Sequence, residues 1–410
     1  MKPSDQQMKI LAFPYTNYDA LICDGSIRAG KTCMMMWAFI DWAMRNFNGK
    51  RFAICGKTVD SAVKNILQPF LSMTLAKEKY SMRWRRQDHI LEAERGGHRN
   101  IFEVFGGKDE SSYALIQGRT LAGVLLDEVA LMPRSFVEQA LARCSEDGSK
   151  FFFNCNPDSA QHWFNTEWIQ KAKEHNALHL HFTLDDNPGL SDRIRERYKS
   201  MYAGVFYKRY ILGLWVMADG LVYDMFDEER HIGTVEDTEG EYYVSCDYGI
   251  QNATVFLLWR KEKGTTRWVC LNEYYYSGRS SQLQKTVGGH ADGLQEMLGD
   301  ISPKAIIVDP SASALIVELR KRKYHVLPAN NDVLDGISDV STMLRNDRLI
   351  FDKKCKNTIE EFGVYCWDKK AADRGEDRPV KDYDHCMDAV RYMVKTKRLC
   401  KNKKEYVPII

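Results

Sequence analysis

The sequence predicts an α/β protein with two domains joined by a small helical linker. Strand-like and helix-like segments alternate over the first half, which predicts a parallel sheet covered on both faces. A glycine-rich loop follows the first strand, and the second half contains apolar runs that end in acids. Because 410 residues exceed one ordinary core, we expect domains at residues 1–190 and 239–400, a linker at 191–238 and a basic tail at 401–410.

The composition excludes several classes of protein. The net charge is only +2, so any contact with nucleic acid has to come from a local basic surface. The eleven cysteines include no C-x-x-C pair, which argues against a disulfide framework or a structural zinc site. There is no signal-like N-terminus, and no apolar run approaches the ~20 residues that cross a bilayer. The composition therefore predicts a soluble, intracellular protein.

Residues 25–32 match the pattern G-x-x-x-x-G-K-[ST]. The apolar run 20–23 before them is strand-like, and the apolar run 33–40 after them is helix-like. This order predicts a phosphate-binding P-loop, whereas a chance glycine turn before a helix is the alternative. The predicted nucleotide-binding residues of the loop are Gly25, Ser26, Ile27, Arg28, Ala29, Gly30, Lys31 and Thr32.

The residue types of this loop suit a nucleoside triphosphate, and we expect ATP with Mg²⁺. Glycines let backbone N–H groups surround phosphate oxygens, and the helix N-terminus adds the positive end of its dipole. Lys31 is expected to reach the β- and γ-phosphates, and Thr32 to bind Mg²⁺. Arg28 is a candidate for stabilising charge on the transferred phosphoryl group.

Several further elements are expected between the P-loop helix and residue 106. A buried strand at 51–55 comes first, followed by a helix at 58–76. Short strands are expected at 82–86, 89–93 and 100–105.

The apolar run 121–126 is followed by Asp127 and Glu128, as in a Walker B strand. A strand of this kind delivers Asp127 to Mg²⁺, and Glu128 polarises the attacking water. Apolar runs that end in an acid are common, so this pattern is weak evidence alone. The P-loop upstream supports it, because a P-loop requires such a strand further along the chain. Together the two motifs predict an ATPase.

Asn154 and Arg119 each have two interpretations. Asn154 follows the apolar run 151–153, where an amide near the γ-phosphate can sense hydrolysis; a simple Asn-Pro turn at 156–157 is the alternative. Arg119 precedes the Walker B strand, either as an arginine finger toward a neighbouring subunit or as a surface arginine.

The second half begins with three strand-like segments at 242–249, 253–259 and 267–274. Short strands in succession indicate an antiparallel meander. A helical stretch around 283–298 and a buried strand at 305–310 are expected after them.

Acidic residues mark a second predicted site in this half. Apolar strands precede Asp247 and Asp309, and a helix near the C-terminus carries His385 and Asp388 on one face. Carboxylates are hard ligands for Mg²⁺ or Mn²⁺, and two such ions can activate water and stabilise a leaving oxygen. The three acids therefore predict a two-metal phosphodiesterase site with Asp247, Asp309 and Asp388 as ligands.

The order of these motifs resembles the large subunit of tailed-phage terminases. The resemblance covers roughly residues 15–395 and rests on the segments 25–32, 125–128, 154–157, 246–249, 308–310 and 384–389. It implies an ASCE-type P-loop ATPase domain followed by an RNase H-like nuclease domain. It also implies that His385 assists the metal-binding acids, while Asn154 departs from the Thr or Ser of the family's coupling motif.

The resemblance further implies ATP-driven translocation of double-stranded viral DNA into a procapsid and two-metal endonucleolytic cleavage of concatemeric DNA. The implied partners are double-stranded DNA, the portal protein and the small terminase subunit, with a homo-oligomeric ring on the portal and no membrane. The implied location is the host cell cytoplasm, and the tail at 401–410 either contacts DNA or the portal or is simply solvated.

Two alternatives come from other classes of protein. One is a P-loop helicase or repair ATPase whose second half only binds DNA. The other is a non-catalytic assembly protein with a degenerate ATP site. The presence of Lys31, Thr32, Asp127 and Glu128 argues against the second alternative.

Overall fold

The computed structural model describes residues 2–234, 240–249, 253–277 and 285–400. The chain divides into two compact units. The first unit comprises Met1–Tyr198, Tyr207–Met217 and Arg374–Glu376, and the second comprises Lys199–Phe206, Ala218–Asp373 and Asp377–Ile410. The stretch 191–238, expected to be a linker subdomain, is shared between these units rather than forming a third. The predicted tail at 401–410 lies outside the described residues.

The first unit is built on a sheet of eight described strands. They are β1 (Ala20–Gly25), β2 (Arg51–Gly56), β3 (Ser81–Arg85), β4 (Ile90–Arg95), β5 (His98–Gly106), β6 (Gly123–Asp127), β7 (Lys150–Asn154) and β8 (Ala177–Phe182). Their spatial order is β3-β4-β5-β2-β6-β7-β1-β8. The P-loop strand β1 therefore lies between β7 and β8, and β7 separates it from the Walker B strand β6.

The sheet is parallel except at one edge. The six strands from β5 to β8 in the spatial order run parallel, as the alternating pattern predicts. The expectation of a wholly parallel sheet is wrong for β3 and β4, because β3–β4 and β4–β5 pair antiparallel. The physical reason is the length of the connections, since turns of a few residues can join antiparallel strands but not parallel ones.

Both faces of this sheet are buried, as β1 illustrates. Its successive side chains alternate between the two faces. Leu21 and Cys23 belong to one hydrophobic cluster, and Ala20 and Ile22 belong to another. The predicted covering on both faces is therefore confirmed, and it makes the end of β1 a rigid support for the loop that follows.

The helices of the first unit lie around this sheet. They are α1 (Asp5–Ala12), α2 (Lys31–Asn46), α3 (Val59–Ala62), α4 (Gln68–Ser72), α5 (Thr74–Lys79), α6 (Tyr113–Ile116) and α7 (Arg134–Ala142). The continuous helix expected at 58–76 is interrupted, because a π-helical turn (Val63–Leu67) precedes Pro69 and Met73 is extended, with ψ at 127°. Proline lacks an N–H and disfavours a regular α-helix before it.

Two helices, α8 (Asp192–Ser200) and α9 (Gly204–Tyr210), lie in the stretch shared by the units. Short 3-10 turns occur at Phe13–Tyr15, Glu110–Ser112, Val129–Leu131 and Leu184–Asp186, and a second π-helical turn at Asn165–Ile169. No helix in the described ranges is both long and apolar enough to cross a bilayer.

The second unit contains a sheet of six described strands. They are β9 (Tyr242–Asp247), β10 (Ala253–Lys261), β11 (Trp268–Ser277), β12 (Ala305–Val308), β13 (Val326–Pro328) and β14 (Leu349–Phe351), in the spatial order β13-β12-β9-β10-β11-β14. The strands β9, β10 and β11 pair antiparallel, so the predicted meander is confirmed. The strand β12 pairs parallel with β9, which places the residues after both strands at the same edge.

The helices of the second unit are α10 (Glu228–His231), α11 (Val287–Leu298), α12 (Ser313–Lys321), α13 (Val333–Arg345), α14 (Lys356–Val364), α15 (Lys369–Ala372) and α16 (His385–Thr396). Residues 283 and 284 of the helix predicted around 283–298 lie outside the described residues, and the helix observed begins at Val287. The hydroxyl of Thr286 caps it by accepting the Gly289 N–H at 3.1 Å. The helix α16 packs against β9, β10 and β12, and every residue from Cys386 to Val394 is buried. This helix therefore has a fixed position relative to the sheet edge.

Candidate active sites

The P-loop joins β1 to α2, as the sequence predicts. Gly25 has a φ of 123°, and a Cβ built on it lies 1.9 Å from the carbonyl oxygen of Phe182. Gly30 has a φ of 84° and occupies the N-cap of α2. Both positions therefore require glycine, one because of close packing against β8 and the other because of a left-handed backbone.

The remaining loop residues are held by the surrounding chain. The N–H of Ser26 donates to Phe182 O at 2.8 Å, and the N–H of Ile27 donates to Tyr210 O at 2.9 Å. The side chain of Gln7 donates to Ala29 O at 3.3 Å. The expectation that the loop N–H groups point at phosphate therefore does not hold for Ser26 and Ile27, whose N–H groups have protein partners.

Lys31 is buried inside the loop. Its ammonium donates to Gly25 O at 3.1 Å, to Ser26 O at 2.7 Å and to the Asn156 side-chain oxygen at 3.2 Å. Burial lowers the pKa of Lys31, although the nearby charge of Glu128 acts in the opposite direction. The lysine is thus a cation that the fold keeps poorly solvated, and such a cation is well suited to bind an anionic ligand.

Thr32, on the first turn of α2, meets Asp127 and Asn154 at the ends of β6 and β7. The hydroxyl of Thr32 donates to Asp127 Oδ1 at 3.1 Å, and the Asn154 amide donates to Thr32 Oγ1 at 2.7 Å and to Asp127 Oδ1. The register of the sheet explains this, because Asn154 on β7 is paired with Cys23 on β1 and with Asp127 on β6. Burial raises the pKa of Asp127.

Glu128 follows Asp127 with a left-handed backbone, at φ 56°. Its carboxylate accepts the Asn156 side-chain amide at 2.8 and 2.9 Å and the Asn156 backbone N–H at 3.3 Å. Burial, and then the charge of Asp127, raise the pKa of Glu128 to about 7. Asn156 therefore joins the predicted water-polarising residue to Lys31, a role that the sequence does not reveal because its Asn-Pro pattern indicates only a turn.

Two buried polar atoms test whether a nucleotide and its metal ion fit this site. The Ser26 hydroxyl and the Asn154 side-chain oxygen are buried and have no hydrogen-bond partner among the described residues. Buried polar atoms of this kind are uncommon in proteins and call for a partner. Both belong to residues in contact with Lys31 or Thr32, so the site fits a phosphate-bearing ligand and a cation.

The two arginines singled out from the sequence lie apart from these contacts. The guanidinium of Arg28, whose backbone is left-handed at φ 58°, lies 5.9 Å from the ring centre of Tyr198. Arg119 is exposed, and its Nε lies 3.4 Å from Glu103 Oε2, while Arg51 pairs with the other oxygen of Glu103. Their proposed catalytic roles remain predictions.

A buried carboxylate that the sequence did not reveal lies directly before the P-loop. Asp24 Oδ1 lies 2.8 Å from His179 Nε2 and 3.1 Å from His181 Nδ1, and Trp215 Nε1 donates to Asp24 Oδ2 at 2.7 Å. Burial alone raises the pKa of Asp24, but the contacts with the two histidines hold it well below its usual range. The available signal was the spacing of His179 and His181, which places both on one face of β8.

Replacing Asp24 with Ala should destabilise the protein by about 1–3 kcal/mol, because three polar groups lose their shared acceptor. The effect should be larger at pH 6 than at pH 8.5. The hydrogen bond to Asp24 raises the pKa of His181 in the folded protein. The contact between His181 and Asp24 therefore stabilises the fold fully below the pKa of unfolded histidine, about 6.5. This stabilisation is lost as pH rises through the folded pKa. Thermal unfolding of the wild type and of Asp24→Ala at pH 6 and pH 8.5 measures this loss of stability. An equal loss at the two pH values would contradict the role of His181.

The second predicted site lies at one edge of the sheet in the second unit. Asp247 ends β9 and Asp309 follows β12, and the two strands are parallel neighbours. His385 Nδ1 lies 2.8 Å from Asp247 Oδ2. Asp309 accepts the Tyr392 hydroxyl at 3.0 Å through Oδ2 and the Ser311 N–H at 2.7 Å through Oδ1. The structure therefore brings the strand acids and α16 to the same edge.

Asp388, on the first turn of α16, is buried between two cations. Arg391 donates to its Oδ1 at 2.7 Å, and Lys381 Nζ lies 3.7 Å from its Oδ2. Asp384 lies beside it and also faces Lys381, at 3.5 Å. Burial, and then the charge of Asp388, raise the pKa of Asp384.

The charges at this edge fit a divalent cation. Burial raises the pKa of Asp247, and the charge of Asp388 adds to this although the hydrogen bond from His385 opposes it. A carboxylate whose pKa is raised by burial and by a neighbouring carboxylate is stabilised when a cation joins the two. Within the described ranges, no three His, Cys, Asp or Glu side chains are gathered tightly enough to hold a metal ion.

Glu361 is a further residue that the sequence did not reveal. Its carboxylate accepts the backbone N–H groups of Cys386 at 2.7 Å and Met387 at 3.2 Å, so it anchors the start of α16. Burial raises its pKa to about 7. No motif marks Glu361, Lys381 or Arg391, because their roles depend on how separate segments pack.

The geometry defines the class of this protein: a P-loop ATPase unit with a Walker B strand, and a second α/β unit with carboxylates at the edge of a mixed sheet. A family model for the N-terminal part of the T4-like terminase large subunit matches residues 22–230. A model for the terminase RNase H-like domain matches residues 270–397. The chain belongs to the terminase large subunit family, with an ATPase domain and an RNase H-like nuclease domain.

Individual relatives agree with this assignment. The chain is 23% identical to the terminase large subunit of Escherichia phage T5 over 337 residues, which are 77% of this chain and 74% of the relative. It is 48% identical to the large terminase of a thermophilic bacteriophage, covering 97% of this chain and 99% of the other with a TM-score of 0.86. A structure of that thermophilic phage protein with ATP-gamma-S is 47% identical, covering 96% and 99%, with a TM-score of 0.82. The ASCE-type ATPase and RNase H-like fold class predicted from the sequence is therefore confirmed.

Proposed function

We propose that this phage terminase subunit couples ATP hydrolysis in its first unit to translocation of double-stranded viral DNA into a procapsid. We further propose that its second unit cuts concatemeric DNA with two divalent ions. The observation that carries the ATPase part is the chain of contacts from Lys31 through Asn156 to Glu128. This chain links a phosphate-binding cation to a buried carboxylate that can accept a proton. The thermophilic phage relative, solved with ADP and with ATP-gamma-S, supports a nucleotide at this site.

Each residue of the first site then has a role. Lys31 binds the β- and γ-phosphates, and Glu128 orients and deprotonates the attacking water. Thr32 and Asp127 are the residues that would hold Mg²⁺, which supplies charge neutralisation at the phosphates. Asn154, which donates to both of these oxygen ligands, fixes their orientation. Arg28 and Arg119 remain candidates for stabilising the transferred charge, Arg119 in a neighbouring subunit.

The second site is proposed to hold Mg²⁺ or Mn²⁺ on Asp247, Asp309 and Asp388. Asp309 and Asp247 supply oxygens from adjacent strand ends, and Asp388 supplies oxygens from α16. His385, in contact with Asp247, orients that carboxylate. The metal ions would lower the pKa of water and stabilise the leaving oxygen when bound.

Asn156→Ala should lower the rate of ATP turnover by about 10- to 100-fold, because Glu128 and Lys31 lose their common hydrogen-bond partner and their alignment. Nucleotide affinity should change only a few-fold, since Lys31 keeps its charge. Phosphate release and fluorescent-nucleotide binding measure the two quantities. Asn46→Ala, at the exposed C-terminal end of α2, is the matched control. Full turnover by a folded Asn156→Ala variant would exclude the alignment role.

The proposed partners are double-stranded DNA, the portal protein and the small terminase subunit, with a homo-oligomeric ring on the portal in the host cytoplasm. The direct test is packaging with purified procapsids that carry the portal. ATP should drive DNA into a nuclease-protected form, and a non-hydrolysable analogue should not. The control is that the same procapsids package DNA with another terminase. If they do, ATP turnover by this protein without any protected DNA would count against translocation.

A further inference from the structure

Lys381 contacts two carboxylates of the second site, and no motif marks this lysine. Its ammonium lies 3.5 Å from Asp384 Oδ2 and 3.7 Å from Asp388 Oδ2. The lysine side chain is 61% exposed, whereas those of Asp384 and Asp388 are 7% and 11% exposed. Both distances exceed those of a direct hydrogen bond. Lys381 is therefore a loosely held cation that approaches two buried carboxylates from the solvent side.

The two oxygens of Asp388 are engaged in different ways. Oδ1 accepts a hydrogen bond of 2.7 Å from Arg391, whose side chain is 2% exposed and also donates to Asp332 O at 3.2 Å. Among the described residues, the one ion-pair partner of Oδ2 is the exposed Lys381. Arg391 is thus a buried partner of Oδ1, the inner oxygen. The outer oxygen, Oδ2, has an exposed partner that another cation can replace.

The Lys381 ammonium has space to move into if another cation takes its place at the carboxylates. Lys381 lines an open groove of about 690 Å³ whose other charged residues are Asp368, Lys369, Lys370 and Arg378. The acid of this groove is already paired, since Arg378 Nη2 lies 3.0 Å from Asp368 Oδ2. Because the lysine side chain is largely solvated and both N···O distances are long, the ammonium loses little free energy when it leaves the carboxylates for solvent.

We propose that Lys381 is the resident counter-ion of Asp384 and Asp388 and that it competes with a divalent metal ion for the outer oxygen of Asp388. Lys381 is a positioning residue that raises the metal concentration at which the site fills. The proposal rests on the nuclease function proposed for the same site. It predicts that removal of the ammonium strengthens metal binding, whereas removal of a metal ligand weakens it.

The test is a titration of the full chain with Mn²⁺ alone, in which electron paramagnetic resonance measures the concentration of free Mn²⁺. In Lys381→Ala the concentration for half-saturation should fall about two- to five-fold, the range of one exposed ion pair. Lys381→Arg, which keeps the charge, should stay near the wild-type value. Lys353→Ala removes an exposed lysine that forms no ion pair with a described residue and should leave binding unchanged.

Two results would overturn the proposal, and they are distinguishable. Unchanged or weaker Mn²⁺ binding by Lys381→Ala, with a wild-type circular dichroism spectrum, would show that the lysine is not a competitor even if Asp247→Asn weakens binding as expected. Equal binding by wild type and Asp247→Asn would instead place the ion elsewhere and remove the proposed nuclease site together with this inference. As a second readout, the Mn²⁺ concentration for half-maximal plasmid cutting should fall in Lys381→Ala by the same factor.

Discussion

Glu128→Gln is expected to lower ATP turnover by about 10²–10⁴-fold, the range that a positioned general base contributes. The substitution keeps the shape of the side chain but removes the carboxylate that can accept a proton. Burial and the neighbouring Asp127 raise the pKa of Glu128 to about 7, which suits a group that takes a proton near neutral pH. Steady-state release of phosphate measures the effect, with excess ATP and saturating Mg²⁺.

Nucleotide binding by Glu128→Gln should be preserved, because Lys31 and Thr32 are unchanged. Glu138→Gln is a matched control, since Glu138 is a glutamate of the same unit that pairs with Arg134 at the surface. Turnover of this control should stay within about twofold, as expected for an exposed ion pair worth less than about 1 kcal/mol. Ordinary turnover by a folded Glu128→Gln variant would remove Glu128 from its assigned role.

Asp309→Asn is expected to reduce Mn²⁺-dependent cutting of plasmid DNA by about 10²-fold or more, because a carboxylate ligand of the catalytic ions contributes several kcal/mol. Asp309 follows β12, and the neighbouring parallel strand β9 ends at Asp247. The amide keeps the volume of the side chain; its oxygen can still accept from the Ser311 N–H, and its NH2 group can donate to the Tyr392 hydroxyl. The folded state should therefore be retained while metal binding weakens.

The ATPase activity provides an internal control for this variant. Turnover of ATP by Asp309→Asn should stay within about twofold of the wild type, since the P-loop belongs to the other compact unit. Asp300→Asn changes an exposed aspartate of the second unit and should cut normally. If Asp309→Asn cuts as fast as Asp300→Asn, Asp309 is not a metal ligand, and a second unit that only binds DNA becomes the better explanation.

The sequence was informative where chemistry is concentrated in a short segment. Gly25, Gly30, Lys31 and Thr32 lie within eight residues, so their spacing alone specifies the loop. Asp127 was predicted because it ends an apolar run, and ligands of α/β sheets bind beyond the carboxyl ends of the strands. The same logic predicted Asp247 and Asp309 as site residues, and their strands are parallel neighbours in the structure.

The sequence was less informative where a residue acts through a distant segment. The Asn-Pro pattern at Asn156 predicts only a turn, and its contacts with Lys31 and Glu128 exist because β7 lies next to β1 and β6. The helix expected at 58–76 is interrupted because a single proline and one extended residue outweigh an apolar period. The edge strands β3 and β4 are antiparallel because their connections are short, which the alternation of helices and strands does not encode.

By itself the sequence predicted the phosphate loop and the strand-end acids of this terminase subunit, because both depend on local order along the chain. Only the tertiary structure decided which groups neutralise those charges. His179 and His181 with Asp24, and Arg391 and Lys381 with Asp388, are separated along the chain by 3 to 157 residues. Electrostatic pairing depends on distance in space and on burial, and both are fixed by the packing of strands and helices rather than by the spacing of motifs.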